Sequence, residues 1–145
     1  MSPLDRKSIQ KKLMKLQDLI SDLREYAEEA QTQEDFIADK KLNGAAMFDL
    51  AIGIAIITDA GNHILSTVFQ KSAEDYSDIV RLLGEVGVVP QQIINENKDM
   101  TKFRNLLIHE YADVDFKKVY AYLQKAPDVF QQFADSYSTF LDKHA

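Results

Sequence analysis

Residues 4 to 28 read LDRKSIQKKLMKLQDLISDLREYAE, and within them Ile9, Leu13, Leu16, Ile20 and Leu23 follow one another at spacings of four, three, four and three. Side chains at those spacings return to the same side of an α-helix, so the stretch predicts one long amphipathic helix from about Leu4 to Glu28. Ser2-Pro3 offers a cap and first turn for it. A helix with a single apolar stripe has to bury that stripe against other elements, and the rest of the chain supplies them in the same form.

After Thr32 a second helical pattern opens with Glu34 and Asp35 in its first turn. It predicts a long helix from about Gln33 to Leu65, kinked near Asn43-Gly44. Its centre, Ala45 to Ile57, is apolar on nearly every side across 13 residues, broken only by Asp49. A helix apolar all round is surrounded by protein, and Gly53 within it permits a neighbouring helix to approach closely. The segment falls short of the roughly 20 apolar residues that span a bilayer, so no membrane association is expected.

Ser72-Ala-Glu-Asp75 reads as a capping signal for a shorter helix carrying Tyr76, Ile79, Val80 and Leu83 on its apolar side and stopping near Gly84 to Gly87. Pro90 suits the first turn of the next helix. That helix runs from Gln91, with a break around Asn95 to Asp99, through Met100, Phe103 and Leu107. Asp115 is placed as the N-cap of a final helix reaching about Lys143, with Pro127 able to bend or divide it. Glycine and proline together number eight, too few for a sandwich or barrel that turns every eight to twelve residues. The expected fold is all-α: an antiparallel bundle of about five helices, one domain over residues 1–145, without internal repeat or linker.

Composition narrows the chemistry. Hydrophobic residues make up 46% and charged residues 28%, the balance of a globular core with a solvated surface. The absence of cysteine excludes disulfides and thiolate metal sites. The opening Met-Ser-Pro-Leu-Asp-Arg-Lys has no apolar stretch behind its charges, so no secretory signal is expected and a cytoplasmic location is. Net charge is −6, unusual for a broad phosphate binder, but residues 1 to 16 hold five basic side chains (Arg6, Lys7, Lys11, Lys12, Lys15) against Asp5. That is a local +4, leaving −10 for the remainder. Lys7, Lys11 and Lys15 share one helical stripe, which serves either as an ordinary solvated face or as a strip that tracks phosphates.

Residues 104 to 111, Arg-Asn-Leu-Leu-Ile-His-Glu-Tyr, hold the densest chemistry in the chain. A histidine five places after an arginine is expected about 0.1 times by chance at this composition, and a tyrosine two places further makes the match rarer still. At about 100° per residue, Arg104 and His109 lie roughly 140° apart around a helix, whereas Asn105 and His109 share a stripe. Arg104, Ile108 and Tyr111 form the neighbouring stripe. The polar arc is therefore wide, and a two-fold dimer would bring two arginines and two histidines to one groove. Histidine titrates ordinarily near neutrality and can act as general base or acid; arginine can hold two phosphate oxygens and offset charge in the transition state. Asn105 could orient the imidazole or bond the phosphate. This set suits attack of a ribose 2′-hydroxyl on the adjacent phosphate, with no metal or cofactor expected. A purely structural use of the same residues has His109 ending a helix, Arg104 pairing with Glu110 or Asp113, and Tyr111 closing the helix end as a half-buried aromatic.

The arrangement Arg104-Asn105-x-x-x-His109-x-Tyr111 resembles the signature of HEPN domains, in particular the HepT toxins encoded beside a minimal nucleotidyltransferase antitoxin, MntA. The helical order and the motif late in the fourth main helix resemble that family across essentially the whole chain. The resemblance implies a dimeric, metal-independent endoribonuclease cutting RNA, such as tRNA or mRNA, with Arg104 and His109 catalytic and Asn105 supporting. It also implies a cognate MntA-like partner that attaches AMP to Tyr111, blocking the groove with bulk and negative charge. Asp59 and His63, four residues apart, would support the groove if their helix lies beside the motif helix; two ligands alone do not make a metal site. His144 falls at the chain end. The contrasting expectation is a non-catalytic helical module that binds a nucleotide or a nucleotidyltransferase through the same groove, which the acidic net charge favours.

Overall fold

The computed structural model describes residues 3–109 and 112–144, and of residue 111 the backbone. Seven α-helices follow one another among these residues: α1 (Arg6–Glu29), α2 (Gln33–Ala38), α3 (Lys40–Val68), α4 (Tyr76–Glu85), α5 (Gln91–Glu96), α6 (Met100–His109) and α7 (Phe116–Lys143), with a 3-10 turn at Tyr111–Asp113 before the last. The all-helical expectation holds, with more and shorter elements than the five or so expected.

α1 buries the predicted stripe, Ile9, Leu13, Leu16, Ile20 and Leu23, and adds Leu19. Its cap is Asp5, whose carboxylate accepts from the Ser8 amide at 3.0 Å; of the expected Ser2-Pro3 start, Ser2 lies outside the described residues. An acidic cap satisfies an otherwise orphaned amide and sits at the positive end of the helix dipole. The long helix expected from Gln33 to Leu65 is instead two. It breaks at Asp39, whose extended backbone ends α2 while its side chain caps α3 through the Leu42 amide. The Asn43 side chain donates to the carbonyls of Phe36 and Ile37, satisfying groups left open at the end of α2. Asn43 thus fastens the break from the first turn of α3 rather than kinking a continuous helix. Asp115 caps α7 as expected, α4 is capped by Asp75 at the end of the expected Ser72–Asp75 signal, and Pro127 lies inside α7 without dividing it.

The three long helices form the frame. The Arg6 guanidinium donates to the carbonyls of Leu141 and His144 at the end of α7, and Arg24 pairs with Asp128, so α1 and α7 run antiparallel. α3 and α7 run in the same direction: Gly53 faces Phe130, and the buried Tyr137 hydroxyl donates to the Ile57 carbonyl at 2.6 Å. Gly53 acts as predicted, because a Cβ there would stand 2.3 Å from the Phe130 ring. Leu50, Ile54, Ile57, Ile64 and Leu65 of α3 are fully buried together with Phe130, Phe133 and Tyr137 of α7. α3 has the length and composition of a helix able to cross a membrane, yet it packs against α1, α2, α4, α6 and α7. On its remaining side Phe48 is 65% exposed, and Ile52, Ala55 and Ile56 are half-covered.

A candidate nuclease site on α6

α6 is a short helix held from three sides. Met100 and Leu107 enter the core, and Phe103 packs on Tyr122 of α7 with ring centroids 4.2 Å apart. The buried Thr101 hydroxyl shares a 3.0 Å hydrogen bond with Ser77, tying the start of α6 to the start of α4. Burial, and secondarily the charge of Asp99, push the Tyr122 phenol well above its ordinary pKa, so it stays neutral and serves as a packing group. These contacts fix which side of α6 faces outward.

On that outward side stand Arg104, Asn105, Ile108 and His109. Arg104 is half-buried and the other three are exposed, Ile108 at 39%. Arg104 and Asn105 meet: one terminal guanidinium nitrogen donates to the Asn105 side-chain oxygen at 3.4 Å. The other donates to the Tyr76 hydroxyl at 3.4 Å, and the guanidinium carbon lies 4.2 Å from the centre of the Tyr76 ring. Asn105 therefore bears on Arg104 here, with no hydrogen bond to His109. His109 closes α6, a position where a cation favours the helix dipole. No hydrogen bond joins it to another described residue, and no described carboxylate forms an ion pair with Arg104, Asp113 included. Glu110 and the Tyr111 side chain lie outside the described residues; the backbone of Tyr111 starts the 3-10 turn.

The spacing of Tyr76 assigns it to the apolar side of α4. It is 36% exposed and covers Arg104 instead. Sequence periodicity reports on a helix's own faces; a contact between residues 28 apart leaves no local signal.

α3 does lie beside α6, as expected, but His63 turns the other way. Its Nε2 accepts from the Asp5 amide at 2.9 Å, linking α3 to the start of α1. That bond occupies the imidazole lone pair and places the proton on Nδ1, a tautomer assigned from the hydrogen bond. Asp59 is exposed on the same helix. Among the described residues no group of three or more histidines and carboxylates stands close enough to hold a metal ion. Of the five basic side chains near the start, Arg6 is committed to the end of α7, while Lys11, Lys12 and Lys15 line a shallow depression with Ser8 and Ile56.

The match to a family model for HepT-like ribonucleases covers residues 16–137. This chain belongs to the HepT-like ribonuclease family. No curated protein matches it. Among solved structures, the HepT-like chain is similar to a cytosolic protein of unknown function, YutE, from Bacillus subtilis. There the identity is 23%, the TM-score 0.82, and the match covers 99% of this chain and 95% of that one. It is also similar to a tri-AMPylated Shewanella oneidensis HEPN toxin in complex with an MNT antitoxin, at 21% identity and TM-score 0.80, covering 90% and 96%. A toxin–antitoxin structure with AMP-PNP matches at 20% identity and TM-score 0.78, covering 89% and 96%. The HEPN fold expected from the motif is the fold observed.

Proposed function

We propose that this HepT-like chain is a metal-independent endoribonuclease toxin of the cytoplasm, with Arg104 and His109 as catalytic residues and Asn105 supporting Arg104. The observation that carries the reading is the outward placement of Arg104, Asn105 and His109 on one short helix whose other sides are locked into the core. In the proposed step the 2′-hydroxyl oxygen attacks the adjacent phosphorus and gives its proton to an imidazole. The bond to the 5′-oxygen breaks, that oxygen takes a proton, and a 2′,3′-cyclic phosphate remains. The Arg104 fork offsets the charge that gathers on the phosphate oxygens. The lysines beside Ser8 would add sequence-independent attraction for the RNA backbone.

The purified chain is expected to cut RNA in the presence of EDTA and to leave cyclic-phosphate ends, while sparing the same sequence with 2′-O-methyl riboses. Cleavage that requires Mg²⁺, or that proceeds on the methylated strand, rules this mechanism out. No cleavage, together with tight nucleotide or partner binding, supports the contrasting module instead.

Two copies complete the groove in this reading. Arg104 and His109 share the outward arc of α6 with no hydrogen bond between them, and α3 leaves Phe48 uncovered beside half-covered Ile52 and Ala55, an apolar arc suited to a two-fold partner. Phe48→Glu is expected to convert a dimer to a monomer by light scattering, and to lower cleavage while leaving helical content unchanged. A dimer of unaltered mass in this variant would place the pairing face elsewhere. Regulation follows the family: a cognate MntA-like nucleotidyltransferase transfers AMP to Tyr111, two residues beyond His109, filling the groove with bulk and negative charge.

A further inference from the structure

The Arg104 guanidinium is held more closely than an exposed catalytic arginine requires. One side chain from another helix, Tyr76, supplies both a ring face 4.2 Å from the guanidinium carbon and a hydroxyl acceptor 3.4 Å from a terminal nitrogen. Tyr76 is itself fixed. It is the first residue of α4, directly after the Asp75 cap, and the next residue, Ser77, is hydrogen-bonded to Thr101 one turn before Arg104. Both ends of the contact are thus anchored to the same junction of α4 and α6.

Of the five guanidinium hydrogens, one is directed to Tyr76 and one to Asn105. The Nε donor is buried without a partner among the described residues. Each terminal nitrogen carries a second hydrogen that no described residue accepts, a donor available to phosphate oxygens. A free arginine side chain samples many rotamers and loses that freedom on binding; one already held over a ring has lost part of it beforehand.

We propose that Tyr76 is the positioning residue for Arg104, holding the guanidinium over its ring so that the fork meets the phosphate already oriented. The inference rests on the ribonuclease reading of the site. The ring face carries the effect and the hydroxyl adds direction to it, because a cation over an aromatic face is attracted whether or not the ring bears an oxygen.

The test compares wild type, Tyr76→Phe and Tyr76→Leu for cleavage of an RNA oligonucleotide in EDTA. Side-chain NMR of Arg104 is recorded on the same proteins. Tyr76→Phe is expected to stay within about threefold of wild type, and Tyr76→Leu to lose about tenfold in kcat with little change in KM. The Arg104 δ-protons are expected to carry an upfield ring-current shift in wild type and Tyr76→Phe that disappears in Tyr76→Leu. Adding the uncleavable 2′-O-methyl strand to wild type should move the unpartnered Nε–H signal.

If wild type does not cleave, the ribonuclease reading fails. If wild type cleaves and Tyr76→Leu equals it, the positioning role alone fails. A loss in Tyr76→Leu without the change in ring-current shift, or an equal loss in Tyr76→Phe, also overturns it. Should Tyr76→Leu not fold, an Arg104 signal without an upfield shift in wild type is sufficient to do so.

Discussion

His109→Ala is expected to lower RNA cleavage by about 10³-fold, the usual range for removing a general acid or base. Arg104→Ala is expected to lower it by about 10²- to 10³-fold through the loss of transition-state charge stabilisation. Neither change should cost much stability. His109 is exposed at the end of α6 and bonds no described residue, and the polar contacts of half-buried Arg104 with described residues are the Tyr76 ring and two long hydrogen bonds. Substitutions at such positions normally move stability by less than about 1 kcal/mol. The measurement is single-turnover cleavage in EDTA beside a thermal melt of each variant. A folded His109→Ala protein that still cuts at the wild-type rate would return the histidine to a helix-ending role. An accompanying large drop in melting temperature would show that the residue serves the fold.

The second large effect lies in the core. Gly53→Val is expected to lower the melting midpoint by on the order of 10 °C, from about 3 kcal/mol of overpacking. Even the first carbon of a side chain at Gly53 would stand 2.3 Å from Cε2 and 2.9 Å from Cδ2 of Phe130, and Phe130 is fully buried in the core. Valine adds two methyl groups to that collision. Gly44 provides the internal comparison, since a Cβ there meets nothing within 4 Å on the same helix. Gly44→Ala is expected to stabilise by about 0.5–1 kcal/mol through helix propensity alone. Combining Gly53→Val with Phe130→Leu should recover part of the loss, because the two positions share one volume. A Gly53→Val protein that melts like wild type would mean that α3 and α7 do not approach as closely as described.

Much of the frame was legible without coordinates because each helix carries its own evidence. The stripe from Ile9 to Leu23, the all-round apolarity of Ala45 to Ile57, and the caps at Thr32 and Asp115 are local patterns legible within one or two turns. The places where the reading failed are those where local preference was settled by a non-local partner. Asn43-Gly44 has the composition of a kink, but Asp39 is free to cap α3, and the Asn43 amide reaches back across the loop to close α2. Ser2-Pro3 has the composition of a helix start, but the Asp5 carboxylate caps the Ser8 amide, so α1 begins after Asp5.

The motif helix divides in the same way. Residue type and spacing alone mark Arg104, Asn105 and His109 as the outward polar residues of a helix whose apolar side holds Met100, Phe103 and Leu107. The charge, the titrating group and the helical period are all properties of that one segment. What Arg104 rests on was decided only by tertiary structure. The α4–α6 junction brings Tyr76 beneath the guanidinium, and His63, which shares a helix with Asp59 beside the motif, is drawn away to the start of α1. Side chains distant in sequence meet only after the core has fixed the angle between their helices, so periodicity could say which way each residue faces but not what it meets there.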